Sequence, residues 1–132
     1  MVAHFVANGS GEVAPDPLGR PRHVKITADA TRGAYTLTET TLSPGRGAPP
    51  HVHAEHEEVF YVLDGHIAFV AGEDVLDARV GDVVLIPRGV EHAFDVVGDG
   101  DARYLCIFSP PITEQERASL VRQAAATRSN GT

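Results

Sequence analysis

A single cysteine, Cys106, occurs in 132 residues. No internal disulfide can form, and a thiolate-rich zinc or iron–sulfur site is excluded. No apolar run approaches the roughly 20 residues that cross a bilayer as a helix. The first ten residues, Met1 to Ser10, lack a basic start and a long apolar centre, so they do not read as a secretory signal and a cytoplasmic protein is expected. Basic residues are few and scattered: 11 Lys and Arg against 18 Asp and Glu, for a formal charge of −7. Without a basic stripe, nucleic acid and anionic membrane are poor partners, and the acidity fits solubility. Helical periodicity is missing until the C-terminal end, and there is no internal repeat. What remains is one domain's length of chain, 42% hydrophobic, sufficient for one core.

Strand signals dominate that length. Residues 1–22 form an irregular arm, because Pro15, Pro17 and Pro21 remove the donors a central strand needs. This arm is a candidate to lie across a second subunit, and with open sheet edges to cover it suggests a homodimer. Period-2 alternation then marks strands at 23–27, 34–42, 58–63, 66–70, 75–80, 82–86, 91–97 and 103–108. Asp64-Gly65 reads as a hairpin turn that returns residues 66–70 antiparallel to 58–63. Thr113 followed by Glu116 is a capping-box pattern opening a helix over 113–126, with 127–132 as a disordered tail. Eight or more short strands in residues 23–112 predict an all-β sandwich or barrel with a short C-terminal helix.

The chemistry concentrates between Gly45 and Gly65. His51 and His53 are two apart, so in extended chain both imidazoles project from one face. Glu57 and Glu58 follow. Imidazole nitrogen and carboxylate oxygen suit borderline divalent metals such as Zn, Fe, Mn, Ni or Co. Parity separates odd-numbered His51 and His53 from Glu58, so the loop 54–57 must break register for Glu58 to face inward with Phe60 and Val62. Glu57 is the competitor. A second stretch, Gly81 to His92, offers one more histidine. His56 reads as a solvent-exposed loop residue, and Cys106 as a small buried hydrophobe.

The spacings Gly45-x5-His51-x-His53-x4-Glu58-x6-Gly65 and Gly81-x5-Pro87-x-Gly89-x2-His92 resemble the two motifs of the cupin superfamily, in particular short single-domain cupins related to quercetin-dioxygenase-like proteins. One departure is visible: the second motif expects asparagine where Val96 occurs. The resemblance implies a small double-stranded β-helix (jelly-roll) barrel with one divalent metal held by His51, His53, Glu58 and His92. It also implies a catalytic role for Glu58 as a general base. Tyr35, Leu37, Phe60, Val62, Phe94 and Val96, joined by Ile107 or Phe108, are expected to make an apolar pocket for a small aromatic or polyketide-like molecule. Dioxygenase-like chemistry is the leading expectation. A non-oxidative polyketide cyclase or isomerase, or a non-catalytic small-molecule binder, is the alternative.

Overall fold

The computed structural model describes residues 3–131. Nine strands precede one helix: β1 Glu12–Val13, β2 Arg22–Ile26, β3 Thr36–Leu42, β4 Glu57–Asp64, β5 His66–Ala71, β6 Asp74–Arg79, β7 Val83–Ile86, β8 His92–Val96, β9 Ala102–Ser109 and α1 Glu114–Gly131. They build two antiparallel sheets, a six-stranded one in the order β1-β2-β3-β9-β4-β7 and a three-stranded one in the order β6-β5-β8. This is the all-β double-stranded β-helix barrel with a C-terminal helix that the strand pattern and motifs lead one to expect.

Alternation sets what faces the barrel interior. On β4 the inward set is Glu58, Phe60 and Val62; on β9 it is Ala102, Tyr104, Cys106 and Phe108. Register brings these side by side, with Glu58 opposite Phe108, Phe60 opposite Cys106 and Val62 opposite Tyr104. β5 and β8 supply Ile67, Phe69 and Phe94 from the facing sheet. Phe60, Phe69, Phe94 and Tyr104 close the centre, with ring centroids of contacting pairs 4.9 to 5.7 Å apart. Such offset and edge-on ring pairs add to the burial they share.

Three expectations need correction. Asp64-Gly65 is not a hairpin: β4 pairs with β7 and β9, whereas β5 pairs with β6 and β8. Gly65 is a corner between sheets, at φ +81°, where a Cβ would lie 2.7 Å from the Asp101 carbonyl oxygen. Tyr35 and Leu37 do not face the lumen. On β3 the buried set is Thr38, Thr40 and Leu42; Tyr35 and Leu37 join Ile26, Glu57, Val59 and Ile107 around a surface depression on the outer side of the six-stranded sheet. The helix passes 126 and runs to Gly131, through most of the predicted tail; Thr132 lies outside the described residues. Its start is as expected, with Thr113 Oγ1 accepting from the Glu116 N–H at 3.0 Å.

The arm also makes contacts within its own chain. Residues 12–22 fold back on this chain's own barrel. Asp16 accepts from Arg20 Nε at 2.9 Å and Nη2 at 2.7 Å, and from Arg117 Nη1 of α1 at 2.9 Å. Arg22, at the start of β2, pairs with Glu114 of α1. Arm and helix are thereby clasped together over one end of the barrel.

Candidate metal centre

Two chain segments carry the site, and the backbone ties them together. His51 and His92 exchange both main-chain hydrogen bonds, at 3.0 and 2.9 Å, as an isolated antiparallel bridge. The Phe94 N–H donates to the Ala48 carbonyl at 3.1 Å, and the Gly89 N–H to the His53 carbonyl at 2.9 Å. The segments approach so closely that a Cβ on Gly47 would sit 1.9 Å from the Phe94 carbonyl oxygen. Gly47 was not singled out by its motif position; the neighbouring Gly45 was, and it occupies a turn at φ +80° with open space around it.

One potential ligand atom from each of His51, His53, Glu58 and His92 lies within 4.8 Å of the others. The second ring nitrogens of two histidines are already engaged. His51 Nδ1–H donates to the Pro49 carbonyl at 2.8 Å, and His92 Nδ1–H to the Val90 carbonyl at 3.0 Å. That turns Nε2 of both rings toward the site, the usual outer support of a metal-ligating imidazole; on His51 it is a lone pair, and on His92 it carries a proton toward Glu58 that a cation would replace. His92 Nε2 lies 3.1 Å from Glu58 Oε1, and His53 Nε2 lies 3.7 Å from the same oxygen. Three ring nitrogens and a carboxylate oxygen meet here in a buried space, where a cation could take the place of the proton shared between His92 and Glu58. The donor set therefore fits a divalent ion.

Electrostatics agree. Burial, followed by the nearby His92 charge, lowers the His51 pKa. Burial pushes His53 down to about 4. A lowered pKa keeps both rings neutral near pH 7, the form that can ligate a metal. Burial alone would raise Glu58, but the hydrogen bond with His92, with the His53 and His92 rings close by, outweighs it and holds the carboxyl below its usual range. Burial lowers and Glu58 more than restores His92, whose pKa is raised.

Glu57, the competing carboxylate, lies on the outer face beside Tyr35 and Val59. The register break across loop 54–57 aims Glu58 inward. Cys106 does more than fill space: its thiol donates to Glu58 Oε2 at 3.1 Å. Burial, then the Glu58 charge, raises its pKa well above that of a free thiol, so it stays a donor. His56 is half-buried and its Nδ1–H donates to the Pro110 carbonyl at 2.7 Å, outside the four-residue group.

Beside the ligands is a cavity of about 30 Å³. Phe94 and Phe108 line it, but so do Thr38, Thr40, Arg20, Arg22 and Arg117. Phe60 and Val62 are fully buried in the core instead of lining it, and Val96 packs half-buried against that core. The wall is thus more polar than the sequence led one to expect. The arginines were missed because they come one at a time from distant parts of the chain.

The model of the cupin domain family matches residues 38–108. This chain belongs to the cupin family. Among proteins similar to this cupin is "Uncharacterized protein SCO3923" of Streptomyces coelicolor, 39% identical over 79 residues, covering 60% of this cupin and 69% of the relative. "Polyketide synthase CurC" of Streptomyces cyaneus is 31% identical over 85 residues, covering 64% and 54% respectively. "Quercetin 2,3-dioxygenase" of Aspergillus japonicus is 33% identical over 78 residues, covering 54% of this cupin and 22% of that protein. The cupin thus spans about half of CurC and under a quarter of the dioxygenase. Among solved structures, KdgF from Halomonas sp. superposes with a TM-score of 0.72 at 19% identity, covering 86% of this cupin and 99% of that chain, a likeness of fold. No helix among the described residues is long and apolar enough to cross a membrane.

Proposed function

We propose that this cupin is a mononuclear metal-dependent enzyme acting on a small organic molecule. The observation that carries the reading is the convergence of His51, His53, Glu58 and His92 beside a lined cavity. These residues would hold one divalent ion, Fe, Mn, Ni, Co or Zn by donor type. Once bound, such an ion supplies Lewis-acid polarisation of a substrate oxygen and, if redox-active, electron transfer. The chain's own residues do the rest. Glu58 is anionic and is the proton acceptor of the site, oriented from behind by the Cys106 thiol. His51 and His92 are held in a fixed orientation by the Pro49 and Val90 carbonyls. Phe94 and Phe108 limit water on one side of the cavity.

Two finer readings have separate support. Likeness to a quercetin 2,3-dioxygenase favours dioxygenase-like chemistry. Likeness to a protein named polyketide synthase CurC favours a non-oxidative cyclase or isomerase. Oxygen uptake with a dihydroxylated aromatic separates them. The decisive first experiment is metal analysis of the purified protein and its His53→Ala variant; full metal content in the variant refutes the site. A binder without turnover would show a ligand-induced rise in Tm with no product formed. For assembly we propose a cytoplasmic homodimer, supported by the exposed Val83 and Leu85 on the edge strand β7. A monomer mass by light scattering at micromolar concentration refutes the dimer.

A further inference from the structure

The metal cavity has a second wall that the cupin motifs do not describe. Arg20 reaches it from the arm, Arg22 from the start of β2, and Arg117 from the first turn of α1. All three are more than nine-tenths buried, at 5%, 3% and 8% exposure. Two carboxylates answer them: Asp16 is shared between Arg20 and Arg117, and Glu114 pairs with Arg22. Three cations face two anions on this wall, and the third anion of the cavity, Glu58, belongs to the candidate metal ligands. As a mere closure the wall is an expensive one, because well-packed hydrocarbon of similar volume is often as stabilising as a buried ion network. Guanidinium groups offer planar, forked donors matched to carboxylate, and here two carboxylates of the chain itself already occupy that geometry.

A larger cavity, about 180 Å³, adjoins the first and shares Arg22 and Thr38 with it; Glu114 lines its near side. Arg22 therefore stands between the two, with its partner Glu114 on the side of the larger cavity. The partners are unequal: the Arg22 side chain is 3% exposed and that of Glu114 46%. Glu114 can swing into water while Arg22 stays where it is. A cavity of roughly 150 Å³ accommodates benzene. The outer chamber thus admits a body of about that size, while the inner one admits little more than a water-sized group beside the ligands.

We propose that Arg22, backed by Arg20 and Arg117, recognises carboxylate, and that the substrate is a small organic carboxylate with a body no larger than about one aromatic ring, its charged end taking the place of Glu114. The inference rests on the metal cavity being the place of chemistry, and it names the substrate class for that site.

The test is calorimetric titration of the purified protein, with its metal and after chelation, using benzoate and pyruvate against their neutral amides, benzamide and pyruvamide. The acids should bind about tenfold or more tighter than the amides, the scale of a charge-assisted hydrogen bond. Arg22→Gln should lose that preference. Glu114→Gln, which removes the competing carboxylate, should bind the acids several-fold tighter, a gain that misfolding cannot imitate. Equal affinity for acid and amide, no binding of either acid, or an unchanged affinity in Glu114→Gln overturns the proposal. Metal content measured on the same samples separates the two readings. An Arg22-independent affinity in protein with full metal overturns carboxylate recognition alone. Acid-over-amide preference in protein that never holds metal supports carboxylate recognition and overturns the metal-dependent function.

Discussion

Replacing Gly47 with alanine should pull the metal centre apart from outside it. The added Cβ would meet the Phe94 carbonyl oxygen at 1.9 Å, the Asp95 Cα at 2.7 Å and the Phe94 carbonyl carbon at 2.8 Å. All three are backbone atoms, so no flexible side chain can yield. Relief requires the 47–51 segment and β8 to separate until the contact opens from 1.9 Å to the 3.4 Å at which ordinary contact begins. The Phe94–Ala48 hydrogen bond, 3.1 Å long, does not survive such a shift, and the paired His51–His92 bonds next to it are lost with it. At about 1 kcal/mol net per hydrogen bond, loss of all three gives about 3 kcal/mol before any packing loss. For a domain of this size that corresponds to a fall in Tm of roughly 10 °C.

The same separation moves His51 away from His92, so metal affinity should fall together with stability. Gly45→Ala is the control. Gly45 has φ +80° but open space around its Cβ position, so alanine there adds left-handed strain of roughly 1–2 kcal/mol and no clash. Urea unfolding and metal titration of the three proteins decide the matter. If Gly47→Ala unfolds within about 0.5 kcal/mol of the parent, the ordinary scatter of harmless substitutions, and binds metal with parental affinity, then the close approach does not hold the two motifs together.

Two further perturbations probe the clasp and the thiol. Asp16 has its pKa driven well below the carboxylate range: burial opposes this, but hydrogen bonds and charge from Arg20 and then Arg117 outweigh it. Its folded value lies below the unfolded one near 3.8, so its contribution is full above that pH and is lost as the pH falls through the folded value. Asp16→Asn should therefore cost about 3 kcal/mol at pH 7, leaving buried guanidiniums without their shared partner, and the gap to the parent should narrow in strong acid; a gap independent of pH refutes the assignment. Cys106 is buried with its thiol pKa raised, so iodoacetamide should modify it only at the rate at which the protein opens. Rapid alkylation of the native protein at pH 8 would contradict its placement behind Glu58.

The ligand set was legible in the sequence because its information is local. His51 and His53 share a strand face by spacing alone, and Gly81, Pro87 and Gly89 frame His92 at a fixed distance. Glu58 could be preferred over Glu57 because an inward Glu58 carries Phe60 and Val62 with it, and all three are buried. The corner at Gly65 was not legible, since Asp-Gly serves a two-residue hairpin and a change of sheet equally well; only the pairing of β4 with β9 tells them apart. Gly47 was invisible for a related reason: its close contact is with Phe94, far along the chain.

On β3 the more polar face is the buried one. Tyr35 and Leu37 form the more apolar face of that strand and by pattern should point inward, yet the buried face carries Thr38 and Thr40. A threonine face turned toward a core is a loss unless the space it meets is polar. Here it meets the wall to which Arg20, Arg22 and Arg117 contribute. Local pattern fails against the fold mainly where function has overridden packing, and on this strand it fails at the cavity and nowhere else: Leu42, beyond the cavity on the same face, is apolar and fully buried. On the proposed reading, metal ligation and ligand selection are thus separable in this chain. The barrel motifs would encode the first within one continuous stretch, residues 45–92. The arm, one strand face and the helix encode the second, through residues that only folding brings together.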